Sequence, residues 1–410
     1  MRRATGIGIW LLVILLFGVQ CGSSSNEAQT GDASNDTATS GDTTTPGGDT
    51  TTPDGDTSPY QPDLASGLYL QPGHPKVLLN AEVKARLQKK LSDKTKDALA
   101  FQQIVDTSVA GDPVYNFDWS NAALLYQLTG DESYCEAAIT AVDAIVSDAE
   151  TAIDNGQVPE VAGDSYLYVG ETVAEIMLTY DWCYDKLSTD QRERWFAYSN
   201  QAVWNVWNHE QASWGGTPHP WSGWSVDNPS NNYYYSFLRA TMILGLATKG
   251  EKSEADTWLS TFRTEKLDNQ LFPTFKSDLI GGGSREGTGY GISMRSLYQL
   301  FAIWEASTNE RLYDKTPHAY DTAFYLMHAV LPTLDYIAPI GDHARESTGK
   351  LFDYHREFML VLTGFFADQP LGHVGQQWLS QIAVAEMSQH FTKVTEFLFF
   401  DPTIPTQALS

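Results

Sequence analysis

Segments with the apolar spacing of α-helices alternate with short polar turns along most of this chain, and this alternation limits the possible folds more than any other feature. Phe117–Leu128 ends at Thr129-Gly130-Asp131, and a second helical segment, Ser133–Val146, follows at once. This helix–turn–helix unit recurs roughly six times, and no sustained alternation of polar and apolar residues indicates a strand. The sequence therefore predicts stacked helical hairpins, arranged as an open solenoid or as a closed ring.

The remaining predicted helices follow the same pattern. They are Ala81–Leu91, Tyr166–Tyr184, Gln191–Asn208, Tyr233–Thr248, Ser253–Thr264, Tyr290–Ala306, His318–Ala329, Tyr354–Phe366 and Gln376–Gln389. Two polar segments, Trp207–Asn231 and Phe272–Gly289, are longer than the other turns, and long loops in a tight helical array usually shape a site. They favour the ring, so we expect an all-α fold, an incomplete (α/α) toroid of about six helical hairpins.

The first twenty residues are typical of a secretory signal peptide, with a basic start and an apolar run over residues 7–19 that is too short to span a membrane. Cys21 follows this run and is the expected lipidation site, with plain secretion or an uncleaved anchor as alternatives. Gly22 is typical of sorting to the outer membrane. We therefore expect an outer-membrane lipoprotein facing the periplasm or the cell surface, or else a secreted protein.

Residues 21–64 are predicted to form a disordered tether that links Cys21 to a single folded domain over residues 65–410. From residue 22 onward the tether contains ten Thr and eight acidic residues, without Lys or Arg. Such a segment buries too little apolar surface to offset the entropy lost on ordering.

The charge balance excludes some partners. The chain carries 26 Lys+Arg against 51 Asp+Glu, a net charge of −25, whereas nucleic-acid binding needs a basic surface. A densely sulfated polymer would also be repelled, so a carboxylated, weakly sulfated glycan is the first expectation. No spacing of His and Cys is typical of a metal site, and no P-loop or nucleophile elbow is present. We expect no metal or cofactor.

Three tryptophans lie in the first long loop, at Trp214, Trp221 and Trp224. This loop is too polar to belong to a core, and flat aromatic faces stack on sugar rings. The tryptophans therefore predict a glycan cleft, the alternative being that they pack the loop against the domain.

Asn231 and Asn232 end the same loop, where one of them is expected to cap the next helix. The free N–H groups of a helix start also favour an anion, which is compatible with capping.

A glycine-rich segment over residues 281–289 precedes Tyr290 and lets the backbone approach a ligand closely. This placement makes Tyr290 a candidate functional residue. Arg285 and Glu286 either pair with each other or leave Arg285 to bind a substrate carboxylate. The late loop contains Asp342, Arg345 and His343, the last a candidate metal ligand, loop brace or site residue.

These motifs together resemble the N-terminal toroid of heparinase II/III-type polysaccharide lyases, a family that includes alginate and oligoalginate lyases. The resemblance spans about residues 70–405. It is carried by His74-Pro75, Asn231-Asn232-Tyr233, Arg285-Glu286 through Tyr290, and Gly341-Asp342.

The resemblance implies β-elimination on a uronic acid. It assigns neutralisation of the substrate carboxylate to Asn232, with Asn231, and proton transfer to Tyr290. Donors that offset the carboxylate charge stabilise an enolate-like transition state, and a tyrosine with a lowered pKa takes the proton and returns one to the departing oxygen. Arg285 or Arg345 would lower that pKa and bind the carboxylate.

Two departures from the family qualify this expectation. Tyr233 stands where several members carry a catalytic His, which implies syn elimination by Tyr290 or loss of activity. Family members also continue into a C-terminal β-sandwich, so the expectation is either a truncated gene product or a separate β-sandwich module as a partner. The alternatives are an unsaturated-uronyl hydrolase using Glu286 and Asp342, or a non-catalytic glycan-binding lipoprotein.

Cys135 and Cys183 lie on neighbouring predicted helices. In an exported protein they form a disulfide or remain as buried thiols, and the sequence leaves both possibilities open.

Overall fold

A computed structural model describes residues 70–71, 73–288, 291–341, 349–382 and 390–408. Cys21 and the tether lie outside these residues, as do Tyr290, Asp342, His343 and Arg345. The described part is mainly helical. Its helices are α1 (Ala81–Ser92), α2 (Lys96–Val109), α3 (Ser120–Thr129), α4 (Glu132–Asp154), α5 (Val169–Trp182), α6 (Thr189–Trp207), α7 (Asn232–Thr248), α8 (Glu254–Ser260), α9 (Phe272–Ser277), α10 (Gly291–Thr308), α11 (His318–Ala329), α12 (Asp353–Phe365), α13 (Pro370–Gln381) and α14 (His390–Phe399). An all-α fold is therefore confirmed for this part of the chain.

Local signals explain where several helices begin and end. The Asn80 side chain accepts the Val83 N–H at the start of α1, and Ser188 and Gln191 form a reciprocal capping box at the start of α6. Gly130 ends α3 with φ +78°, a conformation that glycine adopts without steric cost.

Some predicted boundaries are wrong. The helix predicted from Gln376 begins at Pro370, because proline is well suited to the first turn of a helix. The helix predicted to end at Thr264 continues as a π-helical segment, Thr261–Leu271, directly into α9. Helix α9 occupies the first six residues of the second predicted long loop and so shortens this loop. The first long loop contains a two-stranded antiparallel sheet of Ser213–Trp214 and Thr217–Pro218.

Helices α3, α5, α7, α10 and α12 pack side by side in that order. Near the starts of α5 and α7, the Gly170 N–H donates to Ser236 Oγ over 2.8 Å. Near their far ends, the Tyr180 hydroxyl donates to Glu251 over 3.0 Å, so α5 and α7 run parallel. The starts of α10 and α12 also adjoin, because a Cβ built on Gly291 would lie 2.6 Å from the Tyr354 ring.

The end at which α5, α7, α10 and α12 begin is called the N-terminal face below. Helices α4, α6, α8, α11 and α13 pack against this row and connect its members. Helix α14 contacts α12 and α2, and α2 contacts α3, so the contacts return to the first helix of the row. The Phe101 and Phe397 rings stack at 4.4 Å between α2 and α14.

The base segment, residues 74–80, crosses the opposite end of the row. Lys76 donates to the carbonyl oxygens of Ala247 and Lys249, at the end of α7. The Asn80 amide donates to the Ala306 carbonyl near the end of α10. Helix ends leave carbonyl groups unpaired, and the base segment supplies donors to them.

The structure joins Cys135 on α4 to Cys183 directly after α5 in a disulfide, resolving the two possibilities left by the sequence. This bond closes a loop with a sequence separation of 48 residues, which restricts the unfolded chain. Among the helices that the structure describes, none has both the length and the apolar composition needed to cross a membrane.

Candidate functional site

The start of α7 at the N-terminal face holds a carboxylate that belongs to the chain itself. Glu286 accepts the Asn232 N–H over 3.0 Å and the Asn231 amide over 2.9 Å, and the Ser293 hydroxyl donates to it over 3.2 Å. Asn231 also accepts the Tyr233 N–H over 3.0 Å, so it caps the helix as the sequence predicts. The anion expected at this helix start is therefore Glu286, and the chain brings it there from 54 residues away in sequence.

Tyr233 and Asn232 follow the capping residue Asn231, and their side chains differ in hydrogen bonding. The Tyr233 hydroxyl donates to Asp164 over 3.0 Å. Asn232 is half-buried, and within the part of the chain that the structure describes its side-chain amide has no hydrogen-bond partner. Asn232 is therefore free to bind a ligand at the N-terminal face.

Arg285 does not pair with Glu286, its neighbour in sequence. Its exposed guanidinium pairs instead with Asp278, a surface carboxylate. Arg285 was a candidate from the sequence for binding a substrate carboxylate, and this ion pair engages its guanidinium instead.

Two buried histidines hold the glycine-rich segment before Tyr290. His318 donates to the Gly283 carbonyl over 2.9 Å and His355 to the Thr288 carbonyl over 3.0 Å. Burial lowers the pKa of each histidine to about 4, so both are neutral at physiological pH. The His355 Nδ1 atom accepts the Phe352 N–H, which places the imidazole proton on Nε2.

Gly287 makes the closest backbone approach in this segment. It pairs with Gly341, and a Cβ built on Gly287 would lie 1.9 Å from the Ile340 carbonyl oxygen. Only glycine fits there, and the pairing joins the glycine-rich segment to the late loop. Gly291 is the first residue of α10, and the Thr288 carbonyl accepts from His355 near the start of α12, so these residues on either side of Gly289 and Tyr290 lie at the N-terminal face.

The three loop tryptophans have different environments. The prediction that Trp214 is exposed is wrong: it is 2% exposed, and its indole N–H donates to the Tyr166 hydroxyl. Trp221 is half-buried and donates to the Asn205 carbonyl, so it mainly packs the loop against the domain. Trp224 is 56% exposed and keeps the expected surface for stacking on a sugar.

Two further exposed aromatic residues were missed by the sequence reasoning. Tyr168 is 61% exposed immediately before α5, and Tyr115 is 75% exposed in the segment that leads into α3. The position of a tyrosine in a polar segment before a helix could have indicated its exposure. This signal is weak because most tyrosines in this chain are buried.

A pair of carboxyl groups lies between α3 and α5. Glu175, in the middle of α5, accepts the Trp119 N–H over 2.8 Å, and Asp118 accepts the N–H and hydroxyl of Ser120. Burial, reinforced by the charge of Asp118, raises the pKa of Glu175 to about 8. Glu175 is therefore protonated at neutral pH and can act as an acid.

Glu175→Gln is expected to change the pH dependence of stability. Because the pKa of Glu175 is raised in the folded protein, its protonated form stabilises the fold fully below pH 4.5, the ordinary pKa of a glutamate. This contribution is lost as the pH rises through about 8. We expect the variant to match the parent near pH 4 and to exceed its free energy of unfolding by about 2 kcal/mol near pH 9. Urea unfolding at both pH values measures this, and equal curves near pH 9 would refute it. Glu171→Gln, on the exposed first turn of α5, is the control.

A cavity of about 370 Å³ lies at the other end of the row, beside the base segment. Lys76 and Glu251 line it and pair with each other, so its charged groups are already satisfied. Within the described residue ranges, no group of three or more His, Cys, Asp or Glu side chains is arranged to hold a metal ion.

No protein-family model matches this sequence, and a search of curated proteins finds no matching relative. The site must therefore be interpreted from its own residues.

Proposed function

We propose that this protein is an exported polysaccharide lyase that cleaves a uronic-acid-containing glycan by β-elimination. One observation carries the proposal. The Asn232 side-chain amide, which has no partner among the described residues, lies at the start of α7, where Glu286 from the glycine-rich segment before Tyr290 accepts the Asn232 N–H. A ligand donor and the residues leading to the proposed proton-transfer residue are thus brought to one face.

The packing supports an (α/α) toroid as the framework. Parallel helices α5, α7, α10 and α12 are neighbours, connecting helices pack against them, and α14 and α2 link α12 back to α3. In such a ring the starts of the parallel helices share one end, where their free N–H groups favour an anionic substrate.

In the proposed reaction, Asn232 donates to the uronic-acid carboxylate and offsets its charge as the C5 proton leaves. Tyr290 takes this proton and returns one to the O4 oxygen of the departing sugar, whose bond to C4 breaks as the C4–C5 double bond forms. Trp224 and Tyr168 provide exposed faces for neighbouring sugars. These two proton transfers, from C5 to Tyr290 and from Tyr290 to O4, need no cofactor.

Ultraviolet absorbance of the unsaturated product tests the proposal. The purified full chain is incubated with polymannuronate, polyguluronate, polygalacturonate and hyaluronan, and absorbance should rise with at least one polymer. Tyr290→Phe should reduce the rate by on the order of 100-fold or more. Tyr320→Phe, an exposed tyrosine on α11, is the matched control and should retain the parent rate. Flat absorbance with every polymer, or an unchanged rate for Tyr290→Phe, would reject the lyase.

The protonated Glu175 favours a second candidate, a glycoside hydrolase on the same framework. Glu286, which the sequence nominated for this role, already accepts three hydrogen bonds and is less suited to donate a proton. A hydrolase of unsaturated uronyl sugars would lower the absorbance of an unsaturated oligosaccharide, and Glu175→Gln would stop the decrease.

The export of this protein rests on the sequence alone. We propose that Cys21 carries the lipid and that the tether holds the domain away from an outer membrane. Loss of membrane association in Cys21→Ser, judged by detergent partitioning, tests the anchor.

A further inference from the structure

Arg239, in the second turn of α7, has no protein partner in the described part of the chain. Its Nε atom is buried without an acceptor, and it forms no ion pair there. Every other described arginine donates to a carboxylate, carbonyl or hydroxyl oxygen. These arginines are Arg86, Arg192, Arg194, Arg263, Arg285, Arg295, Arg311 and Arg356.

An unpaired arginine is unexpected in this composition. The chain has 51 Asp+Glu against 26 Lys+Arg, so carboxylates to pair with a cation are abundant. The buried Nε–H of Arg239 lowers stability, because it has lost water without gaining a hydrogen bond. Such a group requires an explanation, and a ligand that supplies the acceptors is one.

Arg239 lies on the same side of α7 as Asn232. The two residues are seven positions apart, which is two helical turns and about 10 Å along the axis. Helical side chains lean towards the helix N-terminus, so we expect the Arg239 guanidinium to extend towards Asn232 and the N-terminal face.

Tyr235, one turn before Arg239, supplies a second unpaired donor. This side chain is fully buried, and its hydroxyl has no hydrogen-bond partner in the part of the chain that the structure describes. Burial, reinforced by the Glu286 carboxylate, raises the pKa of Tyr235, so the hydroxyl keeps its proton. Two donors without acceptors therefore follow Asn232 along one side of α7.

We propose that Arg239, assisted by Tyr235, binds a carboxylate of an anionic sugar ligand. A guanidinium presents two parallel N–H groups that match the two oxygens of a carboxylate. The identification of this ligand as a uronic-acid unit rests on the proposed function. Arg239 thereby takes the recognition role that the sequence analysis assigned to Arg285, which pairs with Asp278.

Calorimetric titration tests this assignment in the Tyr290→Phe background, where turnover is slow. The probes are oligosaccharides of mannuronate, guluronate and galacturonate, together with the same oligosaccharides after reduction of their carboxyl groups to alcohols. Arg239→Met should weaken binding of an acidic oligosaccharide by about 10- to 100-fold and abolish its advantage over the reduced form. Arg311→Met, an exposed arginine beyond the far end of α10, is the matched control and should bind as the background does.

The outcomes separate this inference from the proposed function. Equal affinity of Arg239→Met and the background for the acidic oligosaccharide overturns the role of Arg239 and leaves the glycan function standing. Equal affinity of the background for acidic and reduced forms overturns carboxylate recognition alone. If the background binds no oligosaccharide, both proposals are rejected.

Thermal unfolding provides a readout that needs no ligand. Removal of the buried, unpaired Nε–H should raise the melting temperature of Arg239→Met by on the order of 2 °C. A lower melting temperature would mean that Arg239 stabilises the fold through a protein contact, which contradicts the inference.

Discussion

Asp181→Ala is expected to lower the free energy of unfolding by about 3–5 kcal/mol. The Asp181 carboxylate is fully buried at the end of α5 and holds the base segment. It accepts the N–H groups of Lys76 and Val77 over 2.9 Å and contacts His74 Nδ1 over 2.5 Å. Alanine leaves these donors buried without an acceptor, and each loses its hydrogen bond without regaining water.

Asp185→Ala is the matched control for this variant. Asp185 lies four residues further on and is largely exposed, with the Tyr126 hydroxyl donating to it over 3.1 Å. Exposed contacts of this kind contribute less than about 1 kcal/mol. Urea unfolding followed by circular dichroism measures both variants, and similar small losses would contradict the structural role of Asp181.

The pH dependence of stability provides a further test of the base segment. Burial opposes a charge on His74, but hydrogen bonds to Asp181 and Glu251 raise its pKa above the ordinary value of 6.5. This contribution is complete below pH 6.5 and is lost as pH rises through the raised pKa. The decline in stability above neutral pH should therefore be smaller in Asp181→Ala than in the parent protein.

Arg263→Met is the second change with a large expected effect, again about 3–5 kcal/mol of lost stability. Arg263, in the π-helical segment, donates to both oxygens of Glu310 through Nε and Nη2, at distances between 2.7 and 3.1 Å. Both side chains are buried, and the Trp304 indole N–H also donates to Glu310. Methionine fills a similar volume but leaves a buried carboxylate without its main partner.

A double-mutant cycle distinguishes loss of the ion pair from loss of packing. Arg263→Met combined with Glu310→Gln should be more stable than Arg263→Met alone, because the buried charge is removed with its partner. Arg311→Met, which breaks the exposed pair with Glu305, should cost less than about 1 kcal/mol. A double variant that is less stable than Arg263→Met would show that the charge of Glu310 is satisfied without Arg263.

Helix positions were largely predictable because they depend on neighbours in sequence. His318–Ala329 coincides with α11, and Asn231 caps α7 as its residue type and position indicate. The start of α13 and the π-helical extension of α8 were not predicted. Both depend on how a boundary residue or an extra turn fits the surrounding helices, which local spacing does not encode.

The candidate site was predictable only in part. The pairing of Asn231 with Glu286 joins residues 55 positions apart, whereas the sequence offered either a pair between Glu286 and Arg285 or an Arg285 that binds a substrate carboxylate. Trp214 was expected on the surface because its loop is polar, but a hydrogen bond to Tyr166 holds it inside. Contacts between distant segments decide these roles.

The sequence by itself determined the all-α class, the positions of most helices and the nature of the helix cap at Asn231, because each follows from residue types within a few positions. Only the tertiary structure decided which charged groups are satisfied. It paired Glu286 with the start of α7 and Arg285 with Asp278, and it left Arg239 without a partner among the described residues. The physical reason is that pairing and desolvation depend on atoms brought together across many tens of residues, and such distances are set by packing.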